Sequence, residues 1–142
     1  MIQIMYMSTS SGRISSGDLK SLLEPARRNN ADLGVTGFLL YKDGNFLQVL
    51  EGSSAVVDEL FFKISLDRRH RNVTRFFRDP ILERNIPDWT MGFLDLDNDR
   101  ENSTEVFNGL LKERGAGLPR FSNKVAAFVK MFVPPPLVRC RG

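Results

Sequence analysis

Two apolar runs joined by a tight turn constrain this chain most. Residues 33–41 and 46–50 flank Lys42-Asp43-Gly44-Asn45, and Asp-Gly between such runs signals a β-hairpin. Side chains alternate between the faces of a strand. Phe46, Gln48 and Leu50 therefore share one face, and Leu47 and Val49 the other. Neither face is polar as a whole, so a sheet built from such strands must be covered on both sides. Residues 1–7 have the same character, with Ile2, Ile4, Tyr6 and Ser8 on one face and Met5 and Met7 on the other. An inner strand buried on both faces fits them.

The rest of the chain supplies the covers. Residues 8–17 form a Ser/Gly-rich loop. Ser15 and Asp18 resemble a capping box, with Asp in place of the usual Glu or Gln. They open a helix over about residues 18–30, whose Leu19, Leu22, Leu23 and Ala26 repeat at helical spacing. Pro25 inside it argues for a kink or an early irregular turn. Ser53 or Ser54 caps a second helix with the stripe Val57, Leu60, Phe61 and Ile64. Residues 72–81 and about 90–96 read as two more strands, punctuated by Pro80 and Pro87. The order β-α-β-β-α-β-β predicts an α+β, ferredoxin-like sandwich with one extra strand.

The tail predicts two further helices. Asn102 and Glu105 open the first, which carries Val106, Phe107, Leu110 and Leu111 and closes at Gly115. Ser122 caps the second, with Val125, Phe128, Val129 and Phe132 on one face and Pro134-Pro135-Pro136 ending it. The expected organisation is one domain over residues 1–97 and a C-terminal two-helix extension over 98–142. Two early helices cover only one sheet face. The tail helices, a second subunit, or both must cover the other.

Three polar residues fall on core-facing positions. Gln48 interrupts an apolar strand, and an unpaired amide there would cost on the order of 1–3 kcal/mol. Its partner is a side chain, a water or a ligand, and two donors with one acceptor oxygen suit the edge of a heteroaromatic ring. A structural glutamine tied to backbone is the ordinary alternative. Asn30 lies eleven residues after Leu19, only about 20° away on the helical wheel, so the apolar stripe ends in an amide. Asn29 falls at the edge of that face. A helix C-cap would account for one such Asn better than for two. Buried tyrosines find partners for their hydroxyls, and Gln48 is a natural one for Tyr6. Tyrosine can also give up an electron and a proton together.

Composition narrows the classes. At 142 residues with 42% hydrophobic content, the chain makes one domain with a proper core. Its apolar runs are too short to span a bilayer, and its start lacks a signal peptide's basic region and cleavage site. One cysteine, Cys140, fits a cytoplasmic protein without disulfides. His70 alone cannot anchor a metal. The net charge is +3, and the arginines of Asp67-Arg68-Arg69-His70-Arg71 recur at Arg75, Arg78 and Arg84. A solvated basic face is the default for such a cluster, with phosphate binding the alternative.

Together these pieces resemble the BLUF family of flavin-binding blue-light sensors, small single-domain type. The matching segments are the Tyr6 strand with Ser8, Arg28-Asn29-Asn30, Gly34-Val35-Thr36-Gly37, Phe46-Leu47-Gln48-Val49-Leu50-Glu51-Gly52, Asp67-Arg68-Arg69-His70, and Pro87-Asp88-Trp89-Thr90-Met91-Gly92-Phe93. They run in order from Met1 to about Asp95. The resemblance implies FAD held non-covalently between the two helices, with Tyr6 the photochemical donor and Gln48 the proton relay that then reorganises. It implies that Asn30 binds a ring carbonyl with Asn29 beside it, and that Lys63, Asp67 and His70 line the ring edge or the ribityl-phosphate path. Many relatives carry Arg at the position of Lys63, so a bidentate phosphate contact does not carry over. Ala26 stands where some relatives have a hydroxyl residue.

In the family, the Trp and Met that match Trp89 and Met91 compete for the place nearest the glutamine. Two residues apart on a strand, they should share a face. The implied activity is a reversible switch and not turnover. Strand five and the tail helices are the expected route to an unidentified downstream protein or a homodimer. Rival readings are a small flavin-dependent reductase on the same scaffold, an acylphosphatase-like hydrolase and an RNA-binding module. No nucleophile-base pair stands beside His70, and the RNP-type pattern of exposed sheet aromatics is absent.

Overall fold

The computed structural model describes residues 1–12, 14–86, 89–96 and 123–132. Among these residues the elements follow in the order β1 (Ile2–Ser10), α1 (Ser16–Leu33), β2 (Thr36–Lys42), β3 (Asn45–Gly52), α2 (Ser54–Ser65), β4 (His70–Pro80), β5 (Gly92–Asp95) and α3 (Asn123–Phe132). The predicted β-α-β-β-α-β-β order holds. The first tail helix expected from Asn102 lies outside the described residues.

One sheet runs in the order β4-β1-β3-β2-β5. β1 pairs antiparallel with both β3 and β4, and β2 pairs antiparallel with β3. β5 lies parallel to β2, from Phe38 opposite Gly92 to Tyr41 opposite Asp95. Asp43 (φ 51°) and Gly44 (φ 81°) make the two-residue hairpin loop, the positive-φ pair that Asp-Gly favours.

The strand faces divide the core as the alternation predicts. Ile4, Tyr6, Leu39, Phe46 and Leu50 pack with Leu19, Leu23 and Val57 beneath α1 and α2. Met5, Phe38, Leu40, Leu47, Val49 and Phe77 form a second core on the opposite face. Val125 and Val129 of α3 close that second core, with Phe128 and Phe132 packed against it. Phe128 stacks on Phe76 at 4.6 Å. The tail stripe thus covers the far face of the sheet.

Helix α1 begins with a complete capping box: Asp18 N–H donates to Ser15 Oγ at 3.1 Å, and Ser15 N–H to the Asp18 carboxylate at 3.2 Å. It continues through Pro25 to Leu33. Pro25 removes the donor that Ser21's carbonyl would use, but both residues are exposed, so water can serve instead. The cap is Gly34 at φ 70°, not Asn30. A Cβ at Gly34 would meet nothing within 4 Å, so only backbone strain opposes it. Gly34→Ala should cost about 1 kcal/mol and lower the unfolding midpoint by about 4 °C. Thermal unfolding checks this, and an unchanged midpoint would mean that the cap relaxes freely.

Candidate functional site

The register of the β1–β3 ladder places Tyr6 directly opposite Gln48. Both are buried, at 3% and 7% exposure. On the other side of β1 the pairing with β4 shifts between Met5 and Tyr6, an irregularity that re-aims a side chain. The Tyr6 hydroxyl donates to Gln48 Oε1. Gln48 Nε2 in turn donates to Met91 Sδ at 3.2 Å. One amide therefore joins a phenol on β1 to a thioether just before β5. Burial, with a smaller push from the Asp67 charge, raises the Tyr6 pKa far above its ordinary value. Tyr6 stays protonated and acts as the donor.

An apolar cleft opens between α1 and α2 above this pair. Its walls include Ile14, Leu22, Leu23, Ala26, Leu39, Phe46 and Ile64, and its empty space, open mouth included, is about 650 Å³. Tyr6, Gln48, Asp67, Arg69, His70 and Met91 supply the polar and sulfur atoms of the lining. Phe61 packs on the Tyr6 ring at 5.3 Å. His70 Nε2 lies 2.6 Å from the Ile64 carbonyl, to which it can only donate, and Nδ1 lies 2.8 Å from the Ser8 hydroxyl. The His70 ring stands edge-on to Tyr6 at 6.3 Å.

Asp67 and Arg69 stand beside His70. Arg69 Nε donates to Asp67 Oδ1 at 3.0 Å, and its backbone N–H to the same atom at 2.9 Å. The guanidinium hydrogen bond is the main reason that the Asp67 pKa falls from 3.8 to about 2. A depressed carboxyl stabilises the fold above its unfolded pKa, and that contribution disappears as pH falls from 3.8 through about 2. The pair is solvent-exposed enough that the amount is small. Arg69→Ala should move Asp67 back toward 3.8, which a carboxyl-resonance NMR titration reads directly. An unmoved titration would show that Arg69 does not set the charge.

The other residues singled out in the sequence divide. Asn30 is buried, and its Nδ2 donates to the Thr90 carbonyl at 2.9 Å. Arg27 Nε donates to the Met91 carbonyl at 2.9 Å. Helix α1 thus grips the backbone that carries Met91. Asn29 is exposed. Lys63 is also exposed and pairs with Glu59 at 3.5 Å. Neither these two nor Asn30 is among the residues lining the cleft.

Trp89 and Met91 do not share a face. Met91, 2% exposed, belongs to the Tyr6 core, whereas Trp89 packs against the second core. β5 starts only at Gly92, so strand alternation never reaches them. The Trp89 ring crosses Gly92 closely: a Cβ there would come within 2.2 Å of it. Arg69 was not separable in the sequence, because nothing in the spacing distinguishes it from Arg68 and Arg71.

Residues 1–92 match the family model for BLUF, sensors of blue light using FAD. The chain belongs to the BLUF family. Photoactivated adenylate cyclase subunit beta of Euglena longa is 39% identical over 89 residues, which is 62% of this chain and 10% of that protein. The chain spans about a tenth of the curated relatives it matches. Among solved structures, the dark state of BlrB, a BLUF protein, is 32% identical with a TM-score of 0.66, covering 74% of this chain and 80% of that one. The ground state of BlsA is 31% identical with a TM-score of 0.65, over 80% and 74% of the two chains. A bacterial light-regulated adenylyl cyclase is 34% identical with a TM-score of 0.67, over 69% and 29%. This BLUF domain is a blue-light sensor, and nothing in these likenesses supports the reductase alternative. Among the described residues, no helix is long and apolar enough to cross a membrane.

The residues present fit a flavin. A flat ring system needs apolar walls and hydrogen-bonding groups at its edge. The cleft supplies aliphatic walls from α1, α2 and the sheet, with the Gln48 amide and the Tyr6 hydroxyl at its floor. A groove beside it, lined by Ser11, Gly12, Asp18 and Ser21, shares Ile14, Leu22 and Arg69 with the cleft. That continuity suits a ligand longer than its ring.

Proposed function

We propose that this chain is a photoreceptor domain that binds FAD in the α1–α2 cleft and switches through Tyr6 and Gln48. The single observation that carries the reading is the buried relay from the Tyr6 hydroxyl through the Gln48 amide to Met91 Sδ. Bound there, the flavin would supply blue-light absorption and an excited state able to take up an electron and a proton.

The protein's own residues do the rest. Burial keeps Tyr6 protonated, so the electron donor would be the phenol and its proton would leave with the electron or after it. That proton points at Gln48 Oε1. Half a turn of the amide puts Nε2 toward the Tyr6 oxygen and Oε1 beside Met91, whose thioether has no proton to give. The two orientations therefore differ in their partners at both ends, as a two-state element requires. Once Tyr6 had its electron and proton back, the turned Gln48 amide would still hold the altered hydrogen-bond pattern.

His70 and Asp67 would hold the ribityl side, with Arg69 beside them. Asn30 would take a ring carbonyl in exchange for its bond to Thr90. Asn29 and Lys63 would join only from the periphery, by turning in from solvent. The proposed output runs from Met91 into β5 and the C-terminal helices, and from there to a partner protein or a second copy of the chain.

Absorbance spectra before, during and after blue illumination test the reading. A flavin spectrum with a reversible shift to longer wavelength is expected. A colourless protein that takes up no added FAD would overturn it. Chromatography of the released chromophore tests the FAD assignment separately. FMN as the main species would correct that part alone.

A further inference from the structure

Glu51 is fully buried, yet it lies outside the cleft. It sits three residues after Gln48, on the opposite face of β3. Among the described residues its carboxylate accepts from three groups. Gln3 Nε2 donates to Oε2 at 2.6 Å. The backbone N–H of Asn85 donates at 2.9 Å and that of Ile86 at 2.8 Å, both to Oε1. Arg84 adds a second fastening: its guanidinium donates to the Glu51 carbonyl at 3.0 Å, to Thr36 Oγ1 at 2.8 Å and to the Gly34 carbonyl at 2.6 Å. Residues 84–86 of the β4–β5 connection are thus tied to β3 and to the start of β2, and the Glu51 carboxylate that holds them also holds Gln3 of β1.

The same connection delivers Trp89 and Met91. Its far end is fixed by Gly37 N–H on the Trp89 carbonyl at 2.9 Å and by Asn30 and Arg27 on the next two carbonyls. Between these two anchorages only a few residues remain. Gln3 opposite Glu51 and Tyr6 opposite Gln48 are pairs of one ladder. With so few residues between the two anchorages, a displacement at residues 84–86 would be felt at Met91 and at the amide it touches.

We propose that Glu51 is a positioning residue for the light response: its carboxylate sets the β4–β5 connection so that Met91 Sδ rests on Gln48 and Trp89 on the second core. This rests on the photoreceptor reading for its kinetic consequence but not for its structural one.

The test compares Glu51→Met with Glu51→Gln in the flavin-loaded full chain. Met keeps the length and removes both acceptors. Gln keeps one oxygen for Asn85 and Ile86, and the Gln3 amide can turn to accept from the new NH₂ group. Two signals are read. One is the dark emission of Trp89, the chain's single tryptophan. The other is the rate at which the red shift decays in darkness. Glu51→Met should move Trp89 emission to longer wavelength and change the decay rate about two- to thirtyfold, the range for substitutions that alter coupling between sites. Glu51→Gln should restore both toward the starting protein. A Glu51→Met protein that melts earlier but keeps the parent emission and decay would overturn the proposal, since a merely structural carboxylate predicts that result. If Glu51→Met does not fold, Arg84→Ala, which cuts the second fastening, decides by the same two signals. If the unsubstituted protein shows no red shift, the photoreceptor reading fails, and the emission arm still decides on the clamp.

Discussion

Tyr6→Phe should abolish the proposed light-induced red shift and leave a folded protein that still binds its flavin. The phenyl ring keeps its packing on Phe61 at 5.3 Å and its edge contact with His70. What goes is the hydroxyl that donates to Gln48 Oε1. The orphaned oxygen is buried, so stability should fall by about 1–3 kcal/mol, too little to unfold an ordinary domain. The photoreaction loses more, because a phenylalanine has neither a readily released electron nor a proton to send with it. Gln48→Leu should give the same spectrum by another route: Tyr6 remains, but no amide is left to turn. Spectra under illumination, with flavin content from absorbance and stability from denaturant titration, check each claim separately. A normal red shift in either variant would break the proposed relay, whatever happened to stability.

Much of this site is legible in the sequence because strand periodicity is a hard constraint. Once residues 46–50 read as a strand with two apolar faces, Gln48 must be buried, and the same rule puts Tyr6 inward on β1. The capping box at Ser15, the Asp43-Gly44 turn and the α3 stripe are equally local, and each stands where its chemistry puts it. What escaped depends on contacts far apart in the chain. The parallel pairing of β5 with β2 has no local signal. The helical wheel turns Asn30 inward, but its partner, the Thr90 carbonyl, lies 60 residues away and leaves no local signal. Trp89 and Met91 obey no alternation because they precede β5, and backbone held by Gly37, Asn30 and Arg27 turns them to opposite faces. Glu51 follows Leu50 in an apolar run, and only the folded connection reveals why a carboxylate is there.

Ending the chain after residue 97 should leave the red shift intact and make the protein aggregate. Val125 and Val129 are each about 1% exposed against the second core, and burial of such a side chain contributes about 1.5–3 kcal/mol. Phe128 adds a near-parallel stack on Phe76, 12° from coplanar. Without α3, Phe38, Leu40, Leu47, Val49 and Phe77 would meet water as one contiguous apolar surface, the kind that drives self-association. The relay lies on the other side of the sheet, in contact with α1 and α2, so its hydrogen bonds do not need α3. In the full-length chain, Val129→Asp should act in the same direction, since an uncompensated charge cannot stay in that core. Light scattering and size-exclusion chromatography report the association, and illumination spectra report the photoreaction. A monomeric, soluble truncation would show that α3 covers nothing the sheet needs. A truncation that stays soluble only as a dimer would show that a second copy can take the place of α3. Loss of the red shift with flavin still bound would mean that the second core supports the geometry of Gln48 and Met91 through β3 and β5.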